Sequence, residues 1–243
     1  MTPQCNPVLH YTKQPLISQN NTQVTFFNGT AKKSQEAGSR GRKKHRPRKD
    51  KIKCVIVGDR AVGKTSLAVS YSNDSFPSEY QPTAYDNYNV DVQVDGKPIR
   101  LEICDTAGKD DLEPLRQLCY PDTDVFMLCF SVVRPSTFIS ACTRWADELT
   151  RLDAPVVLVG CQTDLVNNMD TLNSLKRQGQ LPVPPYKARD LARRLNAVYV
   201  ETSAKTCNHL KEAFDQAIIV ALKRRQYERQ KWWTKLCCWK GRR

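Results

Sequence analysis

The stretch Gly58-Asp59-Arg60-Ala61-Val62-Gly63-Lys64-Thr65 constrains this chain more than any other. It fits the pattern G-x-x-x-x-G-K-[ST], and it lies between an apolar run at 52–57 and a segment with helical patterning at 63–71. A strand that ends in such a loop and feeds a helix turns successive backbone N–H groups toward one point, which makes an anion cradle. In that cradle Gly63 permits close approach of a phosphate and Lys64 offers a positive charge to the outer phosphates. The Thr65 hydroxyl suits Mg²⁺, and Ser66 follows in the first helical turn. A chance match in a tight turn is the competing reading, and the strand, the helix and the downstream motifs together disfavour it.

The rest of the middle region alternates apolar runs with helical patterns. Strands are predicted at 52–57, 89–95, 99–104, 125–132, 156–160 and 198–201, and helices at 63–71, 136–149, 186–195 and 210–230. Asp95-Gly96 is a hairpin turn signal, so the second and third strands should be antiparallel. The expected fold is α/β: a six-stranded, mostly parallel sheet with one antiparallel strand and helices on both faces. A polar insertion at 167–180, closed by Pro182, Pro184 and Pro185, should carry a short helix.

The net charge of +13 is uneven. Residues 1–50 hold 10 Lys and Arg against 2 acids, and 222–243 hold 9 against 1, which leaves 51–221 at −3. A near-neutral domain thus lies between two basic arms. The N-terminal arm, 1–50, shows no periodicity and is expected to be disordered. The 10 Cys include no CxxC pair and the chain has only 3 His, so a zinc site is not expected. No run approaches a membrane span, and no signal peptide is visible.

Two later segments bear on the base. Asp164, just after the strand at 156–160, can accept two hydrogen bonds from a guanine edge, which adenine cannot supply. Ser203, Ala204 and Lys205, after the last strand, can bring a backbone N–H to the guanine oxygen. Each is weak alone, since an Asp after a strand often caps a helix; with the phosphate loop, in this order, they are strong.

These residues resemble the Ras superfamily of small GTPases, and the Rho family within it, over about 51–236. The most specific stretches are Tyr80-Gln81-Pro82-Thr83-Ala84-Tyr85-Asp86-Asn87-Tyr88, Asp105-Thr106-Ala107-Gly108 and Tyr120-Pro121-Asp122-Thr123-Asp124-Val125-Phe126. The segment near 167–183 looks like the Rho-type helical insert. The resemblance implies GTP and GDP as ligands with Mg²⁺, held by Thr65 and Thr83 directly and by Asp105 through water. It implies Phe76 stacking on guanine, the Thr83 and Gly108 N–H groups sensing the γ-phosphate, and two switch loops, around Thr83 and at 106–120. Tyr80, Thr83, Tyr85 and Asp86 fall on the expected effector surface.

Three departures bear on mechanism. Lys109 stands where the family usually has a glutamine that orients the attacking water, and lysine only donates. Arg60 replaces a glycine of the phosphate loop and intrudes where that glutamine and a partner's arginine finger meet. Cys161-Gln162-Thr163-Asp164 replaces [NT]-K-x-D, and Gln162 is shorter and uncharged compared with the lysine that reaches the phosphate loop. Very low GTPase activity, faster exchange and a mostly GTP-loaded protein are expected. Gln162, the basic N-terminal extension and the Cys-containing end resemble the atypical Wrch/Chp branch, whereas Arg60 and Lys109 resemble the GTPase-deficient Rnd and RhoH members. Leu112 and Pro114 replace the usual Tyr and Arg of switch II, which leaves the exchange factors open.

The C-terminal tail, 222–243, has Lys240 where a CaaX box needs Cys, so prenylation is not expected. Trp232, Trp233 and Trp239 with many basic residues favour an anionic membrane surface, and Cys237 and Cys238 are palmitoylation candidates. The competing reading is a frayed helix end with solvated charges. The basic run 41–49 lacks aromatic interleaving, so nucleic acid is not an expected partner. Pro3, Pro7 and Pro15 form no PxxP. The resulting expectation is a monomeric GTP-binding signalling protein on the cytoplasmic face of the plasma membrane or endomembranes, with a cytosolic fraction, acting through Rho-type effectors of actin and polarity pathways. The alternatives are a conventional cycling GTPase and a nucleotide-independent scaffold.

Overall fold

In the apolar run before the phosphate loop, alternate residues face opposite ways. Ile52, Cys54 and Ile56 join one buried cluster, and Val55 and Val57 join another. A strand buried on both faces calls for a parallel sheet with helices on each side. The computed structural model describes residues 11–13, 51–77, 85–108 and 112–240, with 11–13 and 233–240 described by backbone alone.

The strands are β1 (Tyr11–Lys13), β2 (Lys51–Gly58), β3 (Tyr85–Val94), β4 (Lys97–Thr106), β5 (Val125–Ser131), β6 (Val156–Cys161) and β7 (Val198–Glu201). They form one sheet in the order β1-β3-β4-β2-β5-β6-β7. The β3–β4 pair is antiparallel and the pairs from β4 to β7 are parallel. Asp95 and Gly96 join β3 to β4 with φ of 50° and 73°, the left-handed pair that a two-residue hairpin turn uses.

The six expected strands are thus present, and the N-terminal arm adds a seventh. Tyr11, Thr12 and Lys13 pair antiparallel with Val94, Gln93 and Val92, on the edge of β3 that faces away from β4. The sequence carried no sign of this, because three residues are too few to show a period of two. An edge with unpaired N–H and C=O groups accepts any extended segment that reaches it.

Helices α1 (Lys64–Asn73) and α7 (Leu210–Lys240) cover one face through Leu67, Ala68, Tyr71, Ala213, Phe214 and Ala217. The other face is covered by α3 (Pro135–Ser140), a π-helical turn (Ala141–Trp145), α4 (Ala146–Thr150) and α6 (Pro185–Arg194). The helix predicted at 136–149 is therefore interrupted by the wider turn, which the pattern of apolar residues does not reveal. A five-residue helix, α2 (Glu113–Gln117), follows β4, and the insertion carries α5 (Met169–Arg177), capped by the Asn168 side chain on the Thr171 N–H at 2.9 Å.

The last helix departs from the expected boundary. It runs to Lys240, past the predicted end at 230 and through the change in composition at 222. No Gly or Pro occurs between Leu210 and Lys240, so nothing in the backbone stops it. Its buried stripe ends at Ala221, and one turn later Arg225 binds Asp124 at 2.9 and 2.6 Å and also donates to the Lys51 carbonyl. The first turn of the basic tail thus belongs to the domain.

Tyr71 of α1 stacks on Phe214 of α7 with ring centroids 3.9 Å apart, and Phe214 is fully buried. Phe214→Ala should destabilise the fold by about 3–5 kcal/mol, read as a lower urea midpoint at unchanged slope. An unshifted midpoint would show that this stack between α1 and α7 contributes nothing to stability.

Candidate nucleotide-binding site

Gly58 ends β2 with φ of 137°, and a Cβ there would stand 2.1 Å from the Cys129 carbonyl oxygen on β5. Only glycine lets the loop leave the sheet at that distance. The chain then turns through Ala61 (φ 58°) and Gly63 (φ 105°) into α1. Lys64, 6% exposed, donates from Nζ to the Gly58 and Asp59 carbonyls, both at 2.9 Å. Burial lowers its pKa, and nearby Asp105 works against that shift. A cation held this way is stabilised by an anion arriving in the loop.

Thr65 Oγ1 donates to Asp105 Oδ2 at 2.6 Å, and Asp105 is fully buried. A hydroxyl beside a carboxylate is a hard-oxygen pair that suits Mg²⁺, which takes few protein oxygens and fills its shell with waters and phosphate. The residues present fit the ion: Thr65 would hold it directly and Asp105 through water. Thr83, the third expected ligand, lies outside the described residues, as do Tyr80 and Lys109.

The second residue of the loop is tied down from a distance. Trp145, fully buried in the π-helical turn, donates from Nε1 to Asp59 Oδ1 at 2.8 Å. The same indole lies 4.6 Å from the guanidinium carbons of both Arg116 and Arg144. Arg116, buried on α2, donates to Tyr120 Oη at 3.0 Å, to Glu148 Oε2 at 3.3 Å and to the Ala107 carbonyl at 3.4 Å. Sequence reading missed Trp145 and Arg116. The available signal was a tryptophan within the predicted helix 136–149, whose N–H needs an acceptor once buried.

Gly108 closes the loop from the other side: a Cβ there would fall 2.5 Å from the Arg60 nitrogen and 2.7 Å from the Gly58 oxygen. Arg60 itself is exposed. The end of β4 and the phosphate loop are therefore in backbone contact at the residue where this chain carries an arginine.

Beside the loop lies a cavity of about 270 Å³ lined by Gly63, Phe76, Gln162, Asp164, Ala204 and Lys205 among others. Ser66, expected with the phosphates, also borders it. Phe76 is 47% exposed, which leaves ring area for a base to cover. Ser203 is fully buried behind the wall, where its Oγ donates to Asp164 Oδ1 at 2.7 Å and accepts from the Thr206 N–H at 3.1 Å. Ser203 thus orients the carboxylate expected to read guanine.

Gln162 departs from expectation. Although shorter than lysine, it reaches the phosphate loop: Nε2 donates to the Ala61 carbonyl at 3.3 Å, and Oε1 accepts from Ser131 Oγ at 2.5 Å. Its backbone is left-handed, φ 67°. The bond is neutral, so its strength is about half that of a charge-assisted one.

On the expected effector surface Tyr85 is 42% exposed and Asp86 is exposed, both at the start of β3. Loss of solvent on one side pushes the Tyr85 hydroxyl up to about 12 and raises the Asp86 carboxyl. Cys237 and Cys238 fall on the last turns of α7, and their side chains lie outside the described residues.

The family model described as the Ras family matches residues 53–223. The Rho-related GTP-binding protein RhoV of Bos taurus is 51% identical over 175 residues, covering 70% of this chain and 74% of that protein. RhoV of Homo sapiens is 50% identical over the same length and shares.

Asp164→Asn should lower affinity for GDP by about 10²-fold or more, because one acceptor becomes a donor facing a donor. Ser203→Ala should cost roughly tenfold by freeing the carboxylate. Competition binding with guanine, xanthine and adenine nucleotides checks both, and unchanged guanine preference in Asp164→Asn would remove Asp164 from its assigned role.

Proposed function

The chain belongs to the Ras family, among its Rho-related GTP-binding proteins, and we propose that it is a signalling member held mostly in the GTP-bound form. Arg60 carries the reading. Its backbone touches the Gly108 backbone, so a long cationic side chain leaves the loop where the γ-phosphate, the attacking water and any partner arginine have to meet. Lys109, the next residue after Gly108, has donors only and offers water no acceptor. Bound Mg²⁺ would neutralise phosphate charge; Thr65 and Asp105 hold the oxygens for it, and Lys64 steadies the loop and the outer phosphates.

Slow hydrolysis combines with a Gln162 bond that is neutral, which supports quicker exchange than a cationic bond would allow. Because cells hold more GTP than GDP, the two together favour the triphosphate state. Effector binding is assigned to Tyr85 and Asp86, with Tyr80 and Thr83 from the same sequence stretch, on actin and polarity pathways by likeness to Rho proteins. Among the described residues no helix is long and apolar enough to cross a membrane. Attachment to the cytoplasmic membrane surface is assigned to the basic end of α7, where Trp232 is 57% exposed, aided by acylation of Cys237 and Cys238.

Nucleotide extracted from the purified chain should be mostly GTP, and single-turnover hydrolysis should be slower than in a doubly substituted Arg60→Gly, Lys109→Gln variant by about tenfold or more. Mostly GDP, or equal rates in the two proteins, would overturn the reading in favour of a conventional cycling GTPase. Cys237→Ser with Cys238→Ser should reduce co-sedimentation with cell membranes, and unchanged sedimentation would remove acylation from the account.

A further inference from the structure

A loop that turns its N–H groups onto phosphate turns its carbonyls the other way, and those carbonyls need donors. Here the Gly58 and Asp59 oxygens accept from Lys64. The next two, of Arg60 and Ala61, both accept from Arg134 Nη1 at 3.3 Å, and Ala61 accepts from Gln162 as well. We infer that Arg134 is a positioning residue for the phosphate loop, a cation outside the recognised motifs that governs how long nucleotide is retained. The inference rests on the chain binding guanine nucleotide at this loop.

The placement of Arg134 is built by its own turn. Its N–H donates to the Ser131 carbonyl at 3.2 Å, and its carbonyl accepts from Thr137 Oγ1 at 2.7 Å. The same Thr137 oxygen accepts from the Ser131 N–H at 3.0 Å, and Thr137 and Ser131 are both buried. Ser131 also donates to Gln162 Oε1, which sets the amide so that Nε2 faces Ala61. One turn between β5 and α3 therefore organises both donors on the loop.

Ala61 holds φ of 58° without being glycine, a conformation that persists only with outside support. The peptide units whose oxygens Arg134 binds are those whose N–H groups belong to Ala61 and Val62. A cation on a carbonyl polarises the whole peptide unit and makes its N–H a stronger donor. Gln162 can brace Ala61 but brings no charge. Among the described residues, Arg134 is the charged side chain bonded to these two carbonyls. Its guanidinium is exposed, so salt should weaken what it does.

The test is dissociation of fluorescent GDP from the purified full chain. Arg134→Ala should release nucleotide about five- to tenfold faster, with Arg134→Gln between it and the parent. Gln162→Lys, which places an ammonium on the same Ala61 oxygen, should bring release in the Arg134→Ala background back to the parent rate or below it. Raising salt should speed release from the parent and leave Arg134→Ala nearly unchanged. Equal release rates in parent and Arg134→Ala, or failure of Gln162→Lys to restore retention, would overturn the inference while leaving nucleotide binding intact. A parent that takes up no nucleotide would overturn both, so the two failures are distinct.

Discussion

The backbone accounting of one short loop governs much of this molecule. Between Gly58 and Ala61 every carbonyl accepts from a side chain, and the donors come from α1, from the turn before α3 and from the end of β6. A phosphate cradle is a row of donors facing one way, and it exists only if the opposite row of acceptors is satisfied. The fold supplies this because the parallel order brings β2, β5 and β6 side by side. Their C-terminal ends then deliver the loop, Ser131 and Gln162 to one place.

A second chain of contacts links the loop to the helix after β4. Asp59 is held by Trp145, Trp145 stacks with Arg116, and Arg116 binds Tyr120, Glu148 and the Ala107 carbonyl. The π-helical turn at Ala141–Trp145 carries the indole at the centre of these contacts. A buried guanidinium with this many partners is a rigid joint, and leaving any partner alone would be costly. These contacts connect the phosphate loop, α2 and the α3–α4 region. Arg60, whose side chain is exposed, stands at the seam where the loop backbone meets Gly108.

Where the sequence was legible, a local rule carried the information. Asp95-Gly96 read as a hairpin because the turn needs two left-handed residues, and both adopt them. Gly58 to Thr65 read as a phosphate loop because spacing alone sets the positions of Gly, Lys and Thr. Phe76, Asp164, Ala204 and Lys205, separated by up to 129 positions in the chain, do line one cavity. What stayed hidden was pairing at a distance and backbone that local composition does not encode. Trp145 finds Asp59 across 86 residues, and Tyr11–Lys13 finds the β3 edge. Gln162, with a left-handed backbone, reaches the loop although it is shorter than lysine, so side-chain length alone misjudged it.

The sequence by itself determined which groups are available: the loop pattern from Gly58 to Thr65, a carboxylate at Asp164, the oxygens of Thr65 and Asp105, and cations at positions 60 and 109. These follow from residue type and short-range spacing, which survive any folding of the remainder. Tertiary structure decided which side chains support that chemistry. It chose Arg134 and Gln162 as donors on the outer face of the loop, Ser203 as the group that turns Asp164, and Arg225 as the tie that makes the tail's first turn part of the domain. Each of these depends on strand order and on backbone angles, and neither is written in any local stretch of residues.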